Sequence, residues 1–462
     1  MFGKHIYIQR RNALKEQINS GIILFIGNTE SPMNFSDNTF HFRQDSNFLY
    51  FFGLDCPMIA GIIDTENGEE ILFGDESTMD DLIWTGKQET LKEKAEKAGV
   101  KETFPFKKLY SFVQQAISKK RKIHFTPPYR GENKILLNKL ISIPVGQLTK
   151  KASIELIKAI VSLRSVKKNE EIEELKKAAK TGYKMHIKAM EMAHPGEWEQ
   201  NIAGTIEGIS IAGGGGISFP VILSQHGETM HNHNHLNFLE KGKLMLVDAG
   251  AESAMHYASD NTRTTPIGGK FTQQQEDIYN IVLNANNKTR ELAKPGVPYL
   301  SVHLAACKVI VSGLKDLGIM KGDVNEAVKQ GAWALFMPHG IGHMMGLDVH
   351  DMEDLGQTYV GYDDEIRPID KFGFSSIRMG RRLQKGFVVT DEPGIYFIQA
   401  LAEKWQRENI NTEFINFNAL EKYNDFGGIR IEDDLLITEH GNTIIGERIP
   451  VTPEEIFNTV NK

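Results

Sequence analysis

One pattern in the second half of the chain limits its fold more than any other. A helix-forming stretch ends in Met192-Ala193-His194-Pro195-Gly196 and leads into the helical EWEQNIAGTIEGI. Further on, a second ends in Leu292-Ala293-Lys294-Pro295-Gly296 and leads into YLSVHLAACKVIVSGL. Proline lacks the amide donor that a helix interior needs and glycine frees the backbone to turn, so each Pro-Gly closes one helix and opens the link to the next. Each pair is followed by a glycine-rich stretch with histidines: Gly213 to Gly216 running on to HNHNH, then PHGIGHMMG. The repeat predicts a second half that is internally two-fold, with strands gathered between helices.

The helix before the first Pro-Gly is long. SVKKNEEIEELKKAAKTGYKMHIKAMEMA has acids in its first turns, which suits the helix dipole, and Ile172, Leu175 and Ala179 at helical intervals. A shorter amphipathic helix from Ser153 to Leu163 precedes it. The first third has another texture. GIILFIG (21–27), NFLYFFGL (47–54), MIAGIID (58–64) and EEILFGD (69–75) are short, rich in β-branched or aromatic residues and bounded by turn residues, so they predict strands. LKEKAEKAGV and LYSFVQQAISKK have helical spacing, and KIHFTPP predicts a last strand ending at two prolines. The expected organisation is an α/β amino-terminal domain over 1–150, a connecting helix at 151–165 and an α+β domain over 166–462.

Composition excludes several functions. The net charge of −7 without basic clusters makes nucleic acid and membrane surfaces poor partners, although acids gathered in one place would hold a cation. Cys56 and Cys307 are the only cysteines, which rules out a disulfide framework and a four-thiolate zinc site. The start, MFGKHIYIQRRNALKEQ, lacks the apolar core of a signal peptide, and no run approaches the roughly 20 apolar residues of a bilayer span. The expectation is a soluble, cytoplasmic protein.

Acids at strand ends mark the candidate chemistry. The apolar LMLV reads as a buried strand delivering Asp248, and YASDNTRTT as its antiparallel partner delivering Asp260. Paired acids on adjacent strands repel unless a proton or metal separates them, although capping of turns would also account for either one. In MPHGIGHMMGLDVHD stand His339, His343 and His350; Gly340 and Gly342 disfavour a helix and no Glu follows the first His, so this is not a zincin helix. FVVTDEPGIYF breaks at Pro393-Gly394 and leaves Glu392 at a strand end. In GGIRIEDDLLIT, Ile429 and Ile431 share one face and Arg430 and Glu432 the other; Arg430 alone could balance Glu432. Four carboxylates and one histidine would form an oxygen-rich pocket suited to two divalent ions about 3.5–4 Å apart, with manganese, iron, cobalt and zinc all compatible.

In this order, VDAG, YASDNTRT, PHGIGHMMGLDVHD, TDEPGIYF and GGIRIEDD resemble the pita-bread metallopeptidases, the creatinase/aminopeptidase-like family that includes Xaa-Pro aminopeptidases and Xaa-Pro dipeptidases (prolidases). FRQDSNFLYFFG and IWTG resemble the amino-terminal domain of the same enzymes, so the resemblance covers nearly the whole chain. It implies a catalytic domain with a pseudo-two-fold repeat and two metal ions, most simply Mn2+, with Zn2+ or Co2+ as alternatives. Asp248 would chelate one ion, Asp260 and Glu432 would bridge both, and His343 with Glu392 would complete the other. A bridging water would attack the peptide bond before proline, with Glu392 relaying the proton. His231, His339 and His350 match histidines that position substrate and stabilise the tetrahedral intermediate, and Arg430 matches a partner that orients Glu432. Creatinase shares the fold without this ligand set.

Some features depart from the family or are left over. Asp248 and Asp260 are one position farther apart than the family pattern, implying a longer hairpin or a bulge. Asn261 replaces an apolar residue, and Asp391 puts another acid beside Glu392. His231, His233 and His235 alternate as on one strand face and suggest a separate zinc site, against the simpler reading of a solvated loop. Gly213 to Gly216 suggests a phosphate loop but lacks a following GK[ST], so it reads as a flexible connection. Arg378 resembles the prolidase residue that binds the carboxylate after proline, and the segment between EPG and GGIRIEDD is prolidase-like. The expected activity is that of an Xaa-Pro aminopeptidase, with a dipeptide-restricted prolidase close behind and a non-catalytic binding protein more distant. The substrates would be Xaa-Pro peptides and the assembly a homo-oligomer, dimer or tetramer, in which Trp84 either packs within its own domain or reaches a neighbouring subunit's site.

Overall fold

A computed structural model describes residues 1–462, and the chain divides into two units, Met1–Arg164 with Asp354–Tyr359, and Ser165–Glu353 with Val360–Lys462. The first unit is built on a five-stranded sheet in the order β4-β3-β2-β1-β5. Its strands are β1 (Ile22–Ile26), β2 (Ala60–Asp64), β3 (Glu70–Phe73), β4 (Glu102–Phe104) and β5 (Ile123–His124). The β1-β2-β3 strands pair antiparallel, while β3-β4 and β1-β5 are parallel.

One expected strand is a helix. NFLYFFGL folds as the helix Ser46–Phe52, because Asp45 accepts the Phe48 N–H as an N-cap and Gly53, at φ 64°, closes the other end. Phe48, Phe51 and Phe52 are all fully buried, so no polar face betrays the helical period. Arg11, itself buried, donates to Phe51 O at 2.7 Å and so satisfies a helix-end carbonyl.

In the second unit the repeat becomes two packed helix pairs, each leading to a three-stranded sheet. The helices Asn169–Glu191 and Glu199–Ala212 precede β6 (Ile222–Ser224), β7 (Leu244–Ala249) and β8 (Asn261–Pro266), ordered β6-β7-β8. The helices Gln273–Leu292 and Tyr299–Asp316 precede β9 (Val388–Asp391), β12 (Asp433–Ile437) and β13 (Asn442–Ile444), ordered β13-β12-β9, while β10 (Gly394–Tyr396) pairs with β11 (Gly428–Arg430). No helix is long and apolar enough to cross a membrane.

Strand alternation decides what faces the site. Met245, Val247 and Ala249 pack with Met185, Ile202 and Ile206 of the first helix pair. The intervening Leu246 packs with Ile222 and Tyr396 on the opposite face, and Asp248 shares that face. The β7–β8 register runs unbroken from Leu244↔Pro266 to Ala249↔Asn261 and on to the bridge Glu252↔Ala258, so the additional residue lengthens the hairpin and makes no bulge. Because Asp248 lies opposite Thr262, two residues from Asp260, both acids point to one face. Gly250 is required here: a Cβ would stand 1.8 Å from Ser259 O.

Candidate metal centre

Five segments converge on this face. Asp248 is the next-to-last residue of β7, Asp260 precedes β8, Glu392 follows β9, Glu432 sits in the break between β11 and β12, and His343 lies on a loop. That loop runs flush along β9, with His343 N donating to Thr390 Oγ1 at 3.1 Å and Thr390 N to His343 O at 3.0 Å. A Cβ on Gly342 would come within 2.1 Å of Thr390 O, which explains the glycine between the histidines. The expected alternation over GGIRIEDD is interrupted at Ile431-Glu432, where Glu432 N donates to Thr262 O and the strand shifts from one sheet to another.

One ligand atom from each of Asp260, His343 and Glu432 lies within 4.8 Å of the other two. His343 Nδ1 donates to Met344 O at 3.0 Å, which turns Nε2 toward the acids, 3.4 Å from Asp260 Oδ2 and 3.8 Å from Glu392 Oε1. A ring nitrogen lone pair facing carboxylate oxygens at such distances calls for a proton or a cation between them. Asp248 Oδ1 and Asp260 Oδ1 are buried without any hydrogen-bond partner, two oriented acceptors that a divalent ion would satisfy. Burial pushes the Asp260 carboxyl well above the usual range, reinforced by Asp248, Asp434 and Glu392. Glu432 is raised in the same way by burial, then by Asp260, Glu392 and Asp248. A cation would reverse that penalty. The residues therefore fit divalent metal.

Arg430 organises the acids, though not in the way expected. Its Nη2 donates to Asp248 Oδ2 at 2.5 Å, its Nη1 to the Tyr396 hydroxyl at 2.7 Å and its Nε to Thr262 Oγ1 at 3.0 Å. Thr262 Oγ1 donates in turn to Glu432 Oε2 at 2.7 Å, so the hydrogen bonds of Arg430 reach Glu432 through Thr262. Tyr396, fully buried, donates a hydrogen bond from its hydroxyl to His339 Nε2 at 3.0 Å, and His339 Nδ1 donates to Gly340 O at 2.6 Å. Burial raises the Tyr396 pKa to about 12 against the pull of Arg430, so the hydroxyl stays protonated at neutral pH.

His350 stacks on His343 with ring centroids 3.8 Å apart; its Nδ1 bonds Glu353, which also pairs with Arg378. Burial and His343 lower the His350 pKa against the opposing effect of Glu353, and burial also lowers His339 and the exposed His231 against the nearby Glu392 and Asp248 respectively. All three are thereby held toward the neutral form, in which one ring nitrogen donates and the other accepts.

The other sequence features separate from the site. Asp391 faces away from Glu392, pairs across strands with Asp433 and accepts from Asn286 at 3.0 Å, because successive residues of β9 alternate. Asn261 points to the opposite side from Asp260, where its side chain comes close to Gly182 of the long helix. His233 and His235 bond the carbonyls of Val221 and Leu223 from a loop and form no metal cluster with His231. Gly215 passes where a Cβ would meet Glu252 O at 2.2 Å, a packing role in place of a phosphate cradle. Trp84 is 84% exposed on the helix Met79–Thr85, which buries none of its residues, so a core role within its own domain is overturned. Tyr396, Thr262, Glu353 and Asp434 were not singled out by sequence. The signal was present in part, since Thr262, Asp434 and Tyr396 each stand an even number of residues from a candidate ligand, and Asp434 Oδ2 accepts the Asp260 N–H at 3.0 Å.

Residues 173–439 match metallopeptidase family M24 and residues 7–124 match the aminopeptidase P N-terminal domain. The fold and site are those of a metallopeptidase. Among similar proteins, the Xaa-Pro aminopeptidase of Escherichia coli K12 is 31% identical over 459 residues, 97% of this chain and 96% of that one. Human Xaa-Pro dipeptidase is 30% identical over 454 residues, 94% of this chain and 87% of its own length. The structure of Escherichia coli aminopeptidase P with the inhibitor Pro-Leu superposes with a TM-score of 0.81 at 29% identity, covering 100% of this chain and 98% of that chain. The chain belongs to metallopeptidase family M24, the pita-bread metallopeptidases.

Proposed function

We propose that the protein is an Xaa-Pro aminopeptidase that hydrolyses the bond between an amino-terminal residue and a following proline, using two divalent ions held by Asp248, Asp260, His343, Glu392 and Glu432. The observation that carries this reading is the convergence of Asp260, His343 and Glu432 with unpartnered oxygens on Asp248 and Asp260. Two bound cations, most simply Mn2+, would activate water and polarise the scissile carbonyl.

The chain's own residues divide the remaining work. Arg430 fixes Asp248 by one oxygen and leaves the other free for the centre. Glu392, partly exposed at the end of β9, is the acceptor for the proton lost by the attacking water and returns it to the departing proline nitrogen. His350, with Nδ1 committed to Glu353, and His231 offer neutral ring nitrogens to the substrate, while His339 is oriented by Tyr396. Because proline's nitrogen carries no N–H, recognition must come from shape and from the groups around the carbonyl.

A prolidase is the second reading, favoured by Arg378, which is 43% exposed and tethered beside His350 through Glu353, a place from which it could take a substrate carboxylate. A length series under manganese with Xaa-Pro, Xaa-Pro-Yaa and Xaa-Pro-Yaa-Zaa separates the two. Release of the first residue from all three supports the aminopeptidase; cleavage of the dipeptide alone replaces it with prolidase. A cytoplasmic location and a homo-oligomer complete the proposal, the latter consistent with the exposed Trp84 helix, and unaltered kinetics in Trp84→Ala would count against a contact from that residue to a neighbour's site.

A further inference from the structure

The segment between β10 and β11 helps to line a cavity that contains none of the candidate metal ligands. Residues of the helices Gln399–Arg407 and Phe417–Leu420 and of the turn Glu421–Tyr423 line an open cavity of about 560 Å3 together with Tyr396 at the end of β10. That is within the usual range for a small-molecule site and larger than a proline ring needs. Its walls are aromatic: Phe397 stacks on Tyr423 with centroids 4.4 Å apart and meets Phe336 edge-on at 5.9 Å, and Phe417 also lines it. Its charged groups are Glu403 and Glu421, and no Lys, Arg or His is among the lining residues. Glu403 accepts from Gln399 at 2.8 Å and keeps an oxygen for a ligand. Tyr396 lines this cavity and also bonds His339 and Arg430, which joins it to the metal centre.

Resting on the Xaa-Pro peptidase reading, we propose that this cavity is a specificity subsite for a basic side chain, Lys or Arg, on the first residue of the substrate. Aromatic faces and carboxylates attract an organic cation together. Two glutamates would repel the carboxylate that ends a short substrate on the proline side, whereas the amino end carries positive charge. Proline is fixed in an Xaa-Pro substrate, so the first residue is the variable one whether the enzyme takes dipeptides or longer chains.

The test compares Arg-Pro-Ala with citrulline-Pro-Ala, which match in shape and differ in charge, using manganese-loaded enzyme and the Glu403→Gln/Glu421→Gln double variant. Expected is a kcat/KM ratio of about tenfold in favour of arginine, falling toward unity in the variant while Ala-Pro-Ala turnover is unaltered. Equal rates for the two substrates overturn the inference, as does a preference that survives in the variant. A preference that appears only with arginine after proline, in Ala-Pro-Arg against Ala-Pro-citrulline, also overturns it. Cleavage of Ala-Pro-Ala without discrimination defeats this inference alone, whereas no cleavage of any Xaa-Pro peptide defeats the peptidase reading beneath it.

Discussion

Replacing Asp260 by Asn should stabilise the metal-free protein while destroying the metal centre. Asp260 is 5% exposed; its Oδ1 has no partner and its Oδ2 lies 3.4 Å from His343 Nε2. Without metal the carboxyl is therefore buried beside Asp248, Asp434 and Glu392, with Arg430 alone opposing their repulsion. A buried unsatisfied polar oxygen costs about 1–3 kcal/mol, and a charged one more. Asparagine has nearly the same shape, carries no charge, and brings an amide that can donate to His343 Nε2 or Glu432. The net gain expected in EDTA at pH 7.5 is about 2 kcal/mol, a rise of roughly 3 °C in the transition of the second unit. In manganese the order reverses: wild type gains stability by binding, Asp260→Asn gains little, and Xaa-Pro hydrolysis is lost. Differential scanning calorimetry of both proteins with and without metal, beside turnover of an Xaa-Pro tripeptide, provides the comparison. A variant less stable than wild type in EDTA, or one stabilised by manganese as strongly as wild type, would refute the reasoning.

Three further predictions follow from individual contacts. Tyr396→Phe deletes the donor to His339 and the acceptor of Arg430, about 1–3 kcal/mol of buried hydrogen bonding, and should lower kcat roughly 10- to 100-fold with little effect on KM; an unaltered kcat would remove Tyr396 from the account. Arg378→Met should reduce kcat/KM for Xaa-Pro more than for Xaa-Pro-Yaa-Zaa if the guanidinium reads a carboxylate next to proline, and equal losses would show that it does not. Burial of His303 against Trp333 and Cys307 pushes its pKa down to about 3, so its stabilising contribution is intact above about pH 6.5 and is lost as the pH falls toward 3, by about 2 kcal/mol at pH 5. His303→Leu should flatten the fall in Tm between pH 7 and 5, and an identical slope in the variant would contradict this.

Much of the catalytic domain was legible because its signals are local. Pro195-Gly196 and Pro295-Gly296 mark helix ends by their own backbone chemistry, and an acid at the end of an apolar run, such as Asp248 after LMLV, is visible without any partner in view. What escaped depends on partners distant in sequence. The helix Ser46–Phe52 has the aromatic, apolar texture of a strand and is buried on every side, so only Asp45 and Gly53 at its ends identify it. Asp391 looked like a fifth acid until its cross-strand pairing with Asp433 placed it on the far face. Arg430 looked like the partner of Glu432 because the two share strand parity, but the strand breaks at Ile431 and the guanidinium meets Asp248, 182 residues away. Tyr396 carried no sequence mark beyond its place in the strand after Glu392, since its role lies in bonding Arg430 and His339 at once.

The most direct test of the central claim is to add Mn2+ stepwise to the chelated protein and follow bound metal per chain by mass spectrometry beside the rate of release of the first residue from an Xaa-Pro tripeptide. The account predicts no hydrolysis without metal, full activity at two ions per chain, and loss of both binding and hydrolysis in Glu432→Gln. Full activity in the chelated, metal-free protein would contradict it.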